Sequence, residues 1–175
     1  MGVDKSSLLV QGEPLALRLA RQLRTAGWEP TILGKTPQQG YAFLPDEQPN
    51  TGPLAAIRGY RPSTELVFIV SCDIPLFDAR VCDALRGCLG AAAAAVPSIQ
   101  GRLQPLCGLY RQSAWGALGE LESERLMDWI AAINALAIPE EALMNLGIRP
   151  TWCTGVNTPE EFESLVSSED LDPRF

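Results

Sequence analysis

The feature that most constrains the fold is an apolar run in the middle of the chain. Residues 65–72 read Glu-Leu-Val-Phe-Ile-Val-Ser-Cys and show no alternation of polar and apolar side chains. Such a run, rich in branched residues, is typical of a strand buried on both faces, as in a parallel sheet covered by helices. Asp73 follows directly, at the carboxyl end of this predicted strand.

The rest of the chain alternates between strand and helix patterns. The further predicted strands are 30–33, 91–96, 103–111 and 149–153. The predicted helices are 14–24, 54–60, 78–89, 113–121, 123–135, 139–146 and 159–167. Residues 35–53 read as a loop, and residues 168–175 as a flexible tail. This order predicts a single α/β domain over 1–175, with a three-layer α/β/α, Rossmann-like arrangement and a mostly parallel sheet.

Composition narrows the chemistry. The chain of 175 residues has no histidine, which excludes a Ser-His-Asp triad and a histidine metal site. Its net charge of -7 argues against nucleic acid as a partner. It shows no membrane span, no signal peptide and no C-x-x-C pair, so we expect a cytoplasmic protein with buried free cysteines. Carboxylates, Lys, Arg and a hard cation remain, and they suit phosphoryl and nucleotidyl transfer.

Asp73 is the strongest candidate site residue that follows from the residues alone. Ligands of α/β sheets bind beyond the carboxyl ends of the strands, where Asp73 and residues 154–158 are expected. Mg²⁺ takes one or two carboxylates together with phosphate oxygens. Asp73 is therefore expected to hold Mg²⁺. The alternative is that its carboxylate caps the turn before Pro75.

Seven short segments carry a resemblance that covers nearly the whole chain. They are M-G-V-D-K-S at 1–6, G-E-P-L at 12–15, G-P-L-A-A-I at 52–57, C-D-I-P at 72–75, Q-P-L at 104–106 followed by Y-R at 110–111, R-L-M-D-W at 125–129, and V-N-T-P-E-E at 156–161. In this order and spacing they resemble the molybdenum cofactor guanylyltransferases. The resemblance implies a nucleotide-diphospho-sugar transferase fold, dependence on Mg²⁺, and a reaction of GTP with molybdopterin that releases pyrophosphate.

The same resemblance implies roles for individual residues. Lys5 and Asp73 would be catalytic, with Asp73 as the metal ligand. The nucleotide would be bound by Lys5, Asp46, Gly52, Pro53 and Asp73. The pterin side would be lined by Gln104, Arg111 and Asn157. The residues alone leave plainer alternatives open: a solvated lysine at Lys5, an exposed loop carboxylate at Asp46, a turn or cap at Asn157, and a strand-end cation at Arg102 or Arg111.

The sequence departs from the family pattern in three places. Family members carry an apolar strand and an L-A-G-G-x-S-x-R loop directly before the segment that begins here with Met1. We therefore expect the first strand to be missing, either because the start of the sequence is too late or because the chain is a degenerate relative. In both cases we expect this chain to be poorly active and destabilised. Ala56 replaces a usual Gly, and Gly155 replaces a usual Asn expected to face the pterin.

Three functions stay open at this point. The first is guanylyl transfer, with GTP and molybdopterin as partners, and with proteins that deliver the cofactor or molybdoenzymes that accept it as further partners. The second is a related cytidylyl- or sugar-phosphate nucleotidyltransferase, since the C-D-x-P and G-P-L segments also occur there. The third is a non-catalytic relative that binds a nucleotide or cofactor.

Overall fold

A computed structural model describes residues 9–10, 12–45 and 52–156, with side chains from residue 12 onward. The helices in these ranges are α1 (Leu15–Thr25), α2 (Pro53–Gly59), α3 (Arg80–Leu89), α4 (Leu126–Ala132) and α5 (Glu140–Asn145). The strands are β1 (Leu9–Val10), β2 (Glu13–Pro14), β3 (Thr31–Gly34), β4 (Ala42–Pro45), β5 (Leu66–Val70), β6 (Ala94–Ile99), β7 (Arg102–Leu103), β8 (Cys107–Arg111) and β9 (Leu136–Pro139). None of the helices in the described ranges is both long and apolar enough to cross a bilayer.

The main sheet is mixed. β8 lies between β5 and β6 and runs antiparallel to both, so β5 and β6 share one direction. β9 pairs parallel with β6, and β7 pairs antiparallel with β6. Ala95 has a partner on each side, Leu109 in β8 and Leu136 in β9, which makes β9 the outer strand next to β6. Two small pairs lie outside this sheet: β1 with β2, antiparallel, and β3 with β4, parallel.

Helices cover both faces of the main sheet. On one face Leu19 of α1, Leu85 of α3 and Leu143 of α5 pack in a single core cluster. On the other face Ile57 of α2 and Trp129 of α4 pack in a second cluster. The strands contribute alternately, because side chains of successive strand residues point to opposite faces. Leu109 belongs to the first cluster and Tyr110 to the second. The predicted three-layer α/β/α arrangement is therefore confirmed.

The apolar run at 65–72 forms β5 and the alanine-rich segment forms β6, both as strands, as predicted. The full burial predicted for β5 is wrong: each of its five residues is only half-buried, and within the described sheet β5 lies at one end, paired antiparallel with β8. The strand predicted at 103–111 is two strands, because a turn at residues 104–106 interrupts it; Cys107 N–H donates to Gln104 O across this turn at 2.9 Å. The sequence did not predict β4, which lies inside the predicted loop, or β9. The helix predicted at 113–121 is a 3₁₀ helix at Gln112–Gly119.

The strand predicted at 149–153 is wrong: this segment is a 3₁₀ helix at Pro150–Cys153. Pro150 has no N–H to donate to a sheet and begins the turn instead. The Trp152 N–H donates to Arg149 O at 3.0 Å, and the Thr154 hydroxyl donates to Pro150 O at 2.9 Å. The helix predicted at 159–167 and the tail at 168–175 lie outside the described residues.

Candidate functional site

Asp73 lies just beyond the carboxyl end of β5, in a tight turn. The Ser71 N–H donates to Leu106 O at 2.9 Å, and the Ile74 N–H donates back to Ser71 O at 3.3 Å. These bonds hold the end of β5 against the start of β8, where Val70 pairs with Cys107. The side chain of Asp73 is half-buried. The predicted position of Asp73, directly after the carboxyl end of this strand, is therefore confirmed.

The carboxylate of Asp73 does not cap the following turn. Among the described residues, no hydrogen bond reaches its oxygens, whereas the Asp78 carboxylate accepts a main-chain N–H. The Arg80 N–H donates to Asp78 Oδ1 at 2.9 Å, just where α3 begins. Within the described part of the chain, the oxygens of Asp73 thus remain without a protein donor.

Residues 155–156 close against Asp73 from the far end of the described chain. The Val156 N–H donates to the main-chain carbonyl of Asp73 at 2.8 Å. A Cβ placed on Gly155 would lie 3.0 Å from Asp73 Cγ, 3.0 Å from Oδ2 and 3.1 Å from Oδ1. The side chain of Asp73 therefore rests directly on the backbone of Gly155. The sequence marks Gly155 only as the loss of a polar side chain, because the contact with Asp73 is made across the fold and has no local signal.

Gln104 lies at the same edge of the sheet as Asp73. It precedes β8 in the turn whose Leu106 carbonyl accepts the Ser71 N–H. The Gln104 N–H donates to Pro97 O at 2.8 Å, and its side-chain amide donates to Arg102 O at 3.3 Å. Because β8 runs antiparallel to β5, the start of β8 meets the end of β5. The structure thus brings Gln104 and Asp73 to one edge.

Arg111 lies at the opposite edge, contrary to the expectation that it faces the substrate beside Asp73. It pairs with Leu66 at the first residue of β5. Four residue steps along a strand span about 13 Å. Its guanidinium donates to Gly90 O at 2.8 Å, Ala92 O at 3.2 Å and Glu65 Oε1 at 2.6 Å. The reversal of β8 explains the placement, and the side chain joins three segments of the fold instead.

Gly52 and Pro53 form the start of α2. Gly52 has a φ of 87°, a conformation that favours glycine, and Pro53 occupies the first helical turn. The helix packs Leu54 and Ile57 into the second core cluster. Both residues at its start are exposed. The remaining predicted site residues, Lys5, Asp46 and Asn157, lie outside the described residues.

Two thiols lie in the core close to Asp73. Cys107 and Cys153 are fully buried, and both are free. Contact with the Cys153 thiol, together with burial, raises the pKa of Cys107 well above its ordinary value, and the charge of Asp73 acts in the same direction. The Cys107 thiol therefore stays neutral. The expectation of buried free cysteines is confirmed for Cys82, Cys107 and Cys153.

Cationic side chains stack next to the segment that leads to Gly155. The guanidinium carbon of Arg80 lies 4.3 Å from the centroid of the Trp152 ring, and that of Arg149 lies 5.8 Å from it. Trp152 itself is buried. Stacking on an indole face favours a positive charge. The stack joins the start of α3 to the 3₁₀ helix at Pro150–Cys153, just before Gly155.

With this geometry in place, comparison with known proteins identifies relatives. Residues 1–137 match the model of the MobA-like NTP transferase domain. A protein of Carboxydothermus hydrogenoformans named "Probable molybdenum cofactor guanylyltransferase" is 28% identical over 174 residues, which cover 95% of this chain and 88% of the relative.

Solved structures share the fold. The molybdopterin-guanine dinucleotide biosynthesis protein A of Archaeoglobus fulgidus superposes with a TM-score of 0.75 at 17% identity, over 93% of this chain and 89% of that one. The 2-C-methyl-D-erythritol 4-phosphate cytidylyltransferase of Thermus thermophilus superposes with a TM-score of 0.64 at 16% identity, over 93% of each chain. At these identities the likeness concerns the fold alone.

Proposed function

Because the chain belongs to the MobA-like NTP transferase family, we propose that it transfers GMP from GTP to molybdopterin and releases pyrophosphate. The observation that carries the proposal is the Asp73 carboxylate, which stands just beyond the carboxyl end of β5 and accepts no hydrogen bond among the described residues. The name of the Carboxydothermus relative supports guanylyl transfer as the specific reaction. The wider family membership makes the chain a nucleotidyltransferase.

Asp73 is proposed to hold Mg²⁺. The fit rests on the donor chemistry, since Mg²⁺ prefers hard oxygen ligands and binds through one or two carboxylates completed by phosphate oxygens and water. Among the described residues there is no group of three or more His, Cys, Asp and Glu side chains that could enclose a metal. A single carboxylate with unpaired oxygens suits a cation that arrives with a polyphosphate. When bound, Mg²⁺ would neutralise charge that develops on the phosphates.

The reaction joins two phosphates. An oxygen of the acceptor phosphate forms a bond to the α-phosphorus of GTP, and the bond between that phosphorus and the bridging oxygen to the β-phosphate breaks. The electron pair of the broken bond leaves with pyrophosphate. A phosphate monoester has a second pKa of about 6 and is mostly ionised at neutral pH, so the nucleophile needs no general base. A chain without histidine is compatible with such chemistry.

The other candidate site residues are given proposed roles, either from their position in the structure or from the family resemblance. Gln104 lies at the edge that holds Asp73 and is proposed to contact the pterin. Lys5, Asp46 and Asn157 keep the roles that the family resemblance implies: phosphate binding for Lys5, nucleoside seating for Asp46 and a place near the reacting phosphates for Asn157. Arg111 is not included, because its guanidinium is bound at the opposite edge.

Cytidylyl transfer is the second candidate function. It is favoured by the fold shared with the Thermus cytidylyltransferase, which superposes over nearly all of both chains. The fold does not distinguish guanine from cytosine, so the assay below compares the two bases.

A pyrophosphate-release assay tests the proposal. The protein of 175 residues is incubated with Mg²⁺ and with GTP, CTP or ATP, each with and without molybdopterin. We expect release only with GTP and molybdopterin, and its loss in the Asp73→Asn variant. Release with CTP in place of GTP would favour the second candidate. Binding of GTP without release, under conditions in which a guanylyltransferase control is active, would overturn the enzymatic assignment in favour of a non-catalytic relative.

A further inference from the structure

The backbone of Gly155 lies so close to the Asp73 carboxylate that the contact constrains how the carboxylate is oriented. The Cβ position of Gly155 is 3.0–3.1 Å from three atoms of the Asp73 carboxylate, its carbon and both oxygens. An approach along the edge of the carboxylate would bring one atom much closer than the others. Three nearly equal distances mean that the carboxylate lies face-on against Gly155. The in-plane directions, where its oxygens accept ligands, therefore point away from Gly155.

Gly155 is needed for space and not for its backbone conformation. Seven other glycines among the described residues have positive φ values, which explains their identity; Gly155 does not. An alanine there would meet no backbone strain. The three atoms nearest to its methyl group would all belong to the Asp73 carboxylate.

The main chain of Asp73 cannot move away from such a methyl group without breaking hydrogen bonds. Its carbonyl accepts the Val156 N–H at 2.8 Å, and the flanking turn is tied to β8 through the bond from Ser71 to Leu106. A side chain at position 155 would therefore turn the carboxylate about its own torsions. A shift of a few tenths of an ångström in a metal ligand changes the geometry offered to a cation that demands near-ideal coordination.

We propose that Gly155 is a positioning residue that orients the Asp73 carboxylate, so that its edge faces the cation and phosphates of the substrate. The part of this proposal that concerns the cation rests on the proposed function. The part that concerns the orientation of the carboxylate rests only on its packing against Gly155. It also changes the meaning of the departure from the family pattern. In this chain, position 155 supplies room for the carboxylate in place of a side chain for the pterin.

The packing part is tested by a double-mutant cycle that needs no activity. Urea unfolding is measured for Gly155→Ala, Asp73→Ala and the double variant. We expect Gly155→Ala to lower the unfolding midpoint in the natural chain and to have no such effect in the Asp73→Ala background, where the obstructing atoms are gone. The matched control is Gly116→Ala, because Gly116 is exposed, has an ordinary φ and has no atom within 4 Å of its Cβ position. Equal effects of Gly155→Ala in both backgrounds would overturn the proposal.

The functional part is tested with Mn²⁺ as the probe in the presence of GTP, by paramagnetic resonance and by turnover. We expect Gly155→Ala to raise the half-saturating Mn²⁺ concentration and to lower kcat by about tenfold, as small misplacements in active sites do, while Gly116→Ala changes neither. If Asp73→Asn weakens Mn²⁺ binding but Gly155→Ala does not, the positioning role is overturned and the proposed function stands. If neither variant affects Mn²⁺ binding, the assignment of the cation to Asp73 fails, and the proposal fails with it.

Discussion

The main-chain N–H of Val156 donates to the carbonyl oxygen of Asp73 at 2.8 Å, which ties the end of the described chain to the carboxyl end of β5. These residues are far apart in sequence, so the bond joins two segments that the family resemblance assigns to one site. It also fixes the main chain of Asp73 and leaves its side chain as the part that responds to neighbours and ligands. Substitutions can therefore distinguish two kinds of residue: those whose loss lowers turnover at this edge, and those whose loss lowers only the stability of the fold.

Asp73→Asn is expected to reduce turnover by about 10²-fold or more, because an amide of the same size replaces the charge that is proposed to hold the cation. Steady-state pyrophosphate release measures the effect, and circular dichroism checks that the fold is kept. Asp83→Asn is the control, since that carboxylate is exposed on α3 and pairs with Arg86. Equal losses in both variants would contradict the assignment.

Arg111→Met is expected to destabilise the protein by about 2 kcal/mol, because its guanidinium makes three hydrogen bonds at the edge remote from Asp73. Turnover per folded molecule should stay unchanged. Urea unfolding and kcat measured together test this. A large rise in KM for the pterin with unchanged stability would instead restore the role that sequence reading gave to Arg111.

Tyr110→Phe is expected to cost about 1–2 kcal/mol, because the Tyr110 hydroxyl donates to Pro105 O at 2.6 Å inside the protein. Without it, the carbonyl loses a partner while the ring stays stacked on Trp129, with centroids 4.9 Å apart. Tyr60→Phe is the matched control, since the Tyr60 ring also packs against tryptophan, but its hydroxyl makes no hydrogen bond among the described residues. Thermal unfolding of the two variants should differ clearly.

Stability is expected to fall as the pH rises above about 8.5, where thiols of the unfolded chain begin to ionise. Burial raises the pKa of Cys82, and the Cys153 thiol together with burial raises that of Cys107. The folded protein therefore keeps protons that the unfolded chain loses, and each such group weakens folding by up to about 1.4 kcal/mol per pH unit. Urea midpoints between about pH 7.5 and 10 measure the slope.

Cys82→Ala should make this slope shallower, even though it removes a buried group and lowers stability at neutral pH. Cys88→Ala, at a half-buried position, is the comparison. An unchanged slope in Cys82→Ala would show that this thiol does not carry its share of the pH dependence.

The main layers of the fold could be predicted because they follow from local patterns. The run at β5 has no polar alternation and forms a strand whose side chains pack against both core clusters, although each of its residues is only half-buried. The segment that forms β9 gave no such signal: three of its four residues are exposed, and only Ile138 is buried. Its strand conformation depends on pairing with β6, a contact that no local pattern encodes.

The placement of the candidate site residues could be predicted in part for the same reason. The position of Asp73 at the end of β5 is predictable because this residue directly follows a recognisable strand. Arg111 was misplaced because its position depends on the direction of β8, which the sequence of that strand does not reveal. The role of Gly155 could not be found from the sequence, because it depends on a contact across the fold with Asp73.

The reversed direction of β8 has a consequence for how this protein could diversify. Its entry end, before Cys107, stands at the edge that holds Asp73, and its exit end, after Arg111, stands on the far side. Changes of acceptor specificity among relatives should therefore accumulate in the turn that precedes this strand. Replacements just beyond the strand should instead vary with the growth temperature of the organism. Randomising these positions should therefore do little to change which acceptor is used.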